Sequence, residues 1–154
     1  MRYSPQKGVM NACDKKTVAH SAFGKKSAIR KGRKFEMEIV ALLRRLGIKV
    51  EHTGRRNDRG VDIRGCIRRV EVVIQCKNYK EEKPIEPFVI VHLDGALTQP
   101  KNHDVIGIVV IPDGRRFTKD AIDRAEKSVF PIILTDKTHL PLCILHLVID
   151  QLQN

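Results

Sequence analysis

The run "VIGIVVI" at 105–111 limits what this chain can fold into more than any other segment. It is apolar at odd and even positions alike, so a strand here has no face to give to water and needs cover on both sides. Helices above and below a sheet provide such cover. "TKDAIDRAEKS" follows, with a Thr cap, an early acid, and Ala121, Ile122 and Ala125 at helical spacing. "FPIILTD" reads as another buried strand, and "PLCILHLVIDQL", opening at Pro141, as a closing helix. Strand, helix, strand, helix is a crossover pattern, and it implies an α/β domain.

The first half reads toward the same sheet. "KFEMEIVALLRRLG", from Lys34, sets Phe35, Ile39, Leu42, Leu43 and Leu46 on one broad helical face and stops at Gly47. "IKVEHTG" alternates as a short strand, and "RRNDRG" is a loop or tight bend. "VDIRG" gives a second strand, and "RRVEVVIQCKNY" a third with Val70, Val72 and Ile74 facing one way. Two prolines disturb "PIEPFVIVHLDGALTQ", but its spacing and length favour a helix from Glu86 to Thr98. The expected order is helix, three strands, helix, strand, helix, strand, helix, folded as a mixed central sheet flanked by helices.

The 154 residues suit one domain, taken as 31–154, behind a basic and flexible arm at 1–30. Residues 1–34 hold ten Lys or Arg and one acid, Asp14, for +9, whereas the rest of the chain contributes only +2. A polyanion is the natural partner of such an arm, nucleic acid first and acidic lipid second. The arm is also rich in small residues and poor in acid, as mitochondrial targeting segments are. No secretory signal is visible, and no apolar stretch approaches a membrane span. Cysteines 13, 66, 76 and 143 lack ligand-like spacing and read as reduced thiols; the histidines lack zinc spacing. "GKKS" at Gly24 lacks the other glycines and the preceding strand of a phosphate loop.

One constellation carries chemistry. Gln75 and Lys77, two apart in a strand, share a face, while Cys76 points the other way. If the strand of Asp62 is their hairpin neighbour, then a carboxylate, an amide carbonyl and an ammonium converge. The two oxygens suit a hard cation such as Mg²⁺, and the lysine suits a water or a phosphate gathering charge. Mg²⁺-assisted hydrolysis of a phosphodiester uses all three.

The sequence resembles the PD-(D/E)xK nucleases, in the branch of Mrr-type restriction endonucleases and archaeal-type Holliday-junction resolvases. The matching residues are Gly32 and Glu36 in "KGRKFEMEI", Asp62 in "DRGVDI", and Gln75 and Lys77 in "IQCKNY". The resemblance covers residues 31–98 well and the later region in outline, and extends to a fungal mitochondrial Mrr-like group with the same elements. It implies a restriction-endonuclease-like core, with Asp62, Gln75 and Glu36 holding Mg²⁺ or Mn²⁺ and Lys77 positioning the catalytic base. Gln75 departs from the commoner Glu; its neutral oxygen binds a cation more weakly, though Mrr-like members use Gln there.

The surrounding residues have plainer readings beside the functional ones. Glu38 shares the helix of Glu36, and either reads as ordinary surface; the position after Phe35 favours Glu36 for the site. Asp58 makes the turn before Gly60 or approaches the site, and Glu71, on the side of Gln75 and Lys77 by alternation, is an exposed strand charge, a salt-bridge partner or an outer member of the site. Arg55, Arg56 and Arg59 sit beside the acids and suit phosphate contacts, with solubility as the rival. Lys31, Arg33 and Lys34, with Arg115 and Arg116 in "DGRRF", extend the positive rim. Tyr79 either stacks on sugar or base or packs in the core.

No recognition helix, zinc finger or separate specificity domain is apparent, so base reading is not expected. The expectation is a metal-dependent endodeoxyribonuclease selective for branched DNA such as four-way junctions, working as a homodimer without membrane attachment. "LPLCILHLVI" and "PIEPFVIVHL" are both candidate dimer faces. The rivals are a non-catalytic nucleic-acid binder on a degenerate nuclease core, and a nuclease for duplex, flap or single-stranded substrates.

Overall fold

The structure is a computed structural model that describes residues 15–53, 60–79, 82–98 and 104–154, with side chains described from residue 29 onward. Its elements run in the expected order: α1 (Lys15–Arg45), β1 (Lys49–His52), β2 (Ile63–Ile67), β3 (Val70–Cys76), α2 (Pro87–Leu97), β4 (Val105–Ile111), α3 (Lys119–Glu126), β5 (Ile132–Asp136) and α4 (Leu140–Gln153). The five strands form one sheet in chain order, β1-β2-β3-β4-β5. The first three are an antiparallel meander; β4 and β5 each join in parallel after a helical crossover. It is a mixed α/β sheet with helices on both faces. Among the described residues no helix is long and apolar enough to cross a membrane.

The apolar run that demanded cover on both sides is β4, and the two cores explain why. Ile108 and Val110 join Phe35, Ile39 and Leu43 of α1 and Leu140 and Ile144 of α4 on one face. Val105, Val109 and Ile111 join Val89, Ile90 and Leu93 of α2 and Ala121 and Ala125 of α3 on the other. Gly107 sits where α2 crosses β4: a Cβ there would stand 2.9 Å from a Leu97 methyl and 3.0 Å from one of Leu93. The missing side chain lets helix and strand approach. Thr118 caps α3 as expected, its hydroxyl accepting from the Ala121 amide at 3.1 Å.

Several expectations needed revision. Helix α1 starts at Lys15 and not at Lys34, so it reaches back through much of the segment taken as the arm; residues 1–14 of that arm lie outside the described residues. Leu46 lies beyond the helix end and is exposed, because the chain turns at Gly47 (φ +80) before the face repeats. β5 is the sheet edge, so its residues Ile132, Ile133 and Leu134 are only half-buried, unlike the fully covered strand expected. Asp62 precedes β2 instead of lying within it.

Candidate active site

The end of the β2–β3 hairpin contains an irregularity that places Asp62. Ile63 pairs with Ile74 in the antiparallel register, yet the Asp62 amide also donates to the Ile74 carbonyl, at 3.0 Å. Two consecutive residues thus oppose one, the pattern of a β-bulge. Its effect shows in the neighbours. Val61 and Ile63, two apart, would share a face in a regular strand, but Val61 belongs to the α2-side core and Ile63 to the α1-side core. Bulges commonly re-aim a side chain in this way.

Asp62 is thereby placed among groups of the α1 side. Its Oδ2 accepts the Cys76 backbone N–H at 2.7 Å, and its carbonyl accepts the Thr53 amide at 2.8 Å. Burial pushes its carboxyl up from 3.8 to about 6. The Cys76 amide opposes that rise, the Glu36 charge adds to it, and Lys77 and His52 oppose it. Glu36 is held in turn: its Oε2 lies 2.6 Å from Nε2 of His52, the last residue of β1, and both side chains are mostly buried. Burial, followed by the Asp62 and Glu36 charges, drives the Cys76 thiol far above its usual range, so it is no nucleophile.

Lys77 follows the last residue of β3, with its amide still bonded to the Val110 carbonyl at 3.0 Å. The charges of Glu36 and Lys77 both act on Asp62. Gln75 is not brought into contact with them. It is 1% exposed, and neither its Oε1 nor its Nε2 has a hydrogen-bond partner among the described residues. Its neighbours lie elsewhere: a Cβ placed on Gly60 would stand 3.0 Å from the Gln75 Nε2 and 3.9 Å from the His92 Cβ of α2. Gly60 has φ +79, a left-handed conformation that favours glycine, and its bare Cα leaves room for the amide. The bulge is the reason for the separation, since simple alternation would have kept the two oxygens on one face.

Glu38 pairs with Lys137 at 2.9 Å, tying α1 to the turn before α4, whereas Glu36 pairs with His52. Glu71 pairs with Arg64 across the hairpin at 3.0 Å, away from Asp62. Tyr79 packs against the α2-side core, and its carbonyl accepts from Arg115 Nη2 at 3.2 Å. Arg116, Lys31, Arg33 and Lys34 line the surface, the last three just before Glu36 on α1. Arg55, Arg56, Asp58 and Arg59 lie outside the described residues. Among the described residues no three His, Cys, Asp or Glu side chains form a group that could hold a metal ion. A cleft of about 690 Å³ lies apart from Asp62, at the far end of β1 and β2, where Arg44, Lys49 and Arg64 line it.

His52 escapes a reading of the histidines for zinc spacing alone. The available signal is strand pairing: His52 lies opposite Ile63, one residue from Asp62.

A family model described as restriction endonuclease, Mrr_cat, matches residues 29–142, the stretch that contains Glu36, Asp62, Gln75 and Lys77. No curated protein matches. One similar solved structure is the MspJI restriction endonuclease in complex with a 27-mer oligonucleotide, at 16% identity and a TM-score of 0.45. The alignment covers 89% of this chain and 34% of that one, so this chain spans about a third of its length.

Proposed function

The chain belongs to the Mrr-type restriction-endonuclease family, and on that premise we propose that it is a metal-dependent endodeoxyribonuclease acting on branched DNA such as four-way junctions. The observation that carries this reading is Asp62: a carboxylate held on a bulge, with its pKa raised to about 6 and with Glu36 and Lys77 acting on it. A scaffold gains no stability from crowding two acids at a buried strand end, and such perturbed groups concentrate at functional sites.

The donors fit a hard divalent cation. Asp62 and Glu36 offer carboxylate oxygens, whereas Gln75, turned to the α2 side, adds none to them. Mg²⁺ characteristically takes one or two carboxylates and leaves its other positions to water and phosphate, so a three-carboxylate cage is not required. Bound there, Mg²⁺ or Mn²⁺ would neutralise charge on the phosphate and acidify the attacking water.

The protein's own residues set the conditions. Asp62 must shed its proton to bind, so occupancy falls below about pH 6. His52 holds Glu36 by one oxygen, Oε2. Lys77 orients water and balances the growing phosphate charge. Lys31, Arg33, Lys34 and Arg116, on the surface, grip the backbone without reading bases. Two copies working as a homodimer would present paired sites to opposing strands of a junction.

The test is cleavage of end-labelled four-way junction, flap, nicked and linear duplex with Mg²⁺ or Mn²⁺, comparing the wild type with Asp62→Asn and Lys77→Ala. Paired symmetric nicks in the junction alone, lost in both variants, are the expected result. Cleavage of all substrates would remove the junction preference. Tight binding without cleavage in either metal would replace the enzyme with a nucleic-acid binder.

A further inference from the structure

Helix α4 has two apolar sides, and the described residues cover one of them. Leu140 and Ile144 are buried, and Leu147 and Val148 pack beside them against the α1-side core. The outer side is Leu142, Leu145, Ile149 and Leu152, which are 52, 52, 40 and 60% exposed. Their separations of three, four and three residues follow the seam spacing of paired helices. A helix that is apolar on both sides is normally enclosed.

Two further features indicate what covers it. The first is charge. In a chain of net charge +11, α4 has no Lys or Arg and one acid, Asp150. A phosphate backbone finds nothing to hold here, whereas two copies of the helix meet without repulsion. The second is symmetry. The three-four-three spacing reads the same from either end, so antiparallel copies set Leu142 against Leu152 and Leu145 against Ile149, twice over. Such self-complementarity is what a two-fold interface requires. On α2, the other candidate, only Phe88 and Val91 are exposed large apolar residues, and the Phe88 ring already rests edge-on against His92.

We propose that α4 is the surface through which two copies of this chain associate, antiparallel, through Leu142, Leu145, Ile149 and Leu152. The proposal deepens the homodimer reading above by assigning its surface.

Sedimentation velocity on the full chain, in salt sufficient to screen its net charge, tests it. The wild type sediments as a dimer above roughly ten micromolar, in keeping with a small apolar interface. Leu145→Lys weakens association about a hundred-fold by stranding a charge in the seam, with unchanged circular dichroism because the position is exposed. Leu145→Lys combined with Ile149→Glu restores the dimer, since the introduced ammonium of each copy then meets the introduced carboxylate of the other in the antiparallel register. A monomeric wild type, or a dimer indifferent to Leu145→Lys, overturns the surface; a double variant that stays monomeric overturns the register. Asp62→Asn leaves sedimentation unchanged, so failure of the interface and failure of the nuclease reading are seen separately.

Discussion

Two polar side chains near the end of one hairpin have opposite circumstances. Asp62 is crowded: an amide, a second carboxylate, an ammonium and an imidazole all act on it. Gln75, on the neighbouring strand, is more deeply buried and touches no hydrogen-bonding group among the described residues. An unsatisfied buried amide costs about 1–3 kcal/mol, and a carboxyl held near 6 carries a cost of similar size. Neither feature stabilises the protein by itself. Burial is costly in two ways here, through a charge held against it and through an amide held without a partner among the described residues.

The comparison breaks most sharply in catalysis. Asp62→Asn and Lys77→Ala should each lower junction cleavage by about a thousand-fold or more, in an end-labelled assay at saturating Mg²⁺. A smaller loss would move the chemistry elsewhere.

Without metal, Asp62→Asn should do the reverse and stabilise the fold. The folded carboxyl keeps its proton up to about pH 6, against an ordinary value of 3.8. Across that window the folded state binds more protons than the unfolded one, so wild-type stability falls as pH rises and levels off above about 6. The variant has no such slope. Its advantage should be nil near pH 4 and approach about 3 kcal/mol at pH 8, read from urea melts in chelator. Equal stability at both pH values would mean that the carboxyl is not desolvated.

On the Gln75 side, Gly60→Ala should cost about 1–3 kcal/mol, because alanine resists φ +79 and its Cβ would crowd the amide. Adding Gln75→Ala should relieve only the crowding, and a double-mutant cycle measures how much. Gln75→Leu alone should stabilise the protein by about 1–2 kcal/mol, read from urea melts. The smallest effect is expected at the Arg64–Glu71 pair: Arg64→Ala should change stability by under about 1 kcal/mol and leave cleavage alone.

The order of elements was legible because the apolar pattern changes period at each boundary, from the α1 face of Phe35, Ile39 and Leu43 to the two-sided run of β4. Asp62, Lys77 and Glu36 were legible as a group because the family pattern fixes their places. The separation of Gln75 from Asp62 was not legible. Alternation assumes a regular ladder, and the bulge at Asp62 and Ile63 is a backbone event that leaves no mark on apolar spacing. His52 was hidden for a related reason, since its role comes from lying across from Ile63. The start of α1 was misplaced because a basic, alanine-containing stretch has helix propensity without an apolar face to announce it.

The strand order β1-β2-β3-β4-β5 has a kinetic consequence. Every strand lies beside its predecessor in the chain, and the β2–β3 hairpin, with Asp62 at its open end, closes through the tight turn at Arg68 and Arg69. Loop-closure entropy is lowest for such local pairings, so the hairpin should form early in refolding, ahead of the parallel crossovers to β4 and β5. The carboxylate of Asp62 would then be in place before the sheet that covers it is complete, and substitutions in the bulge should slow folding more than those in β5.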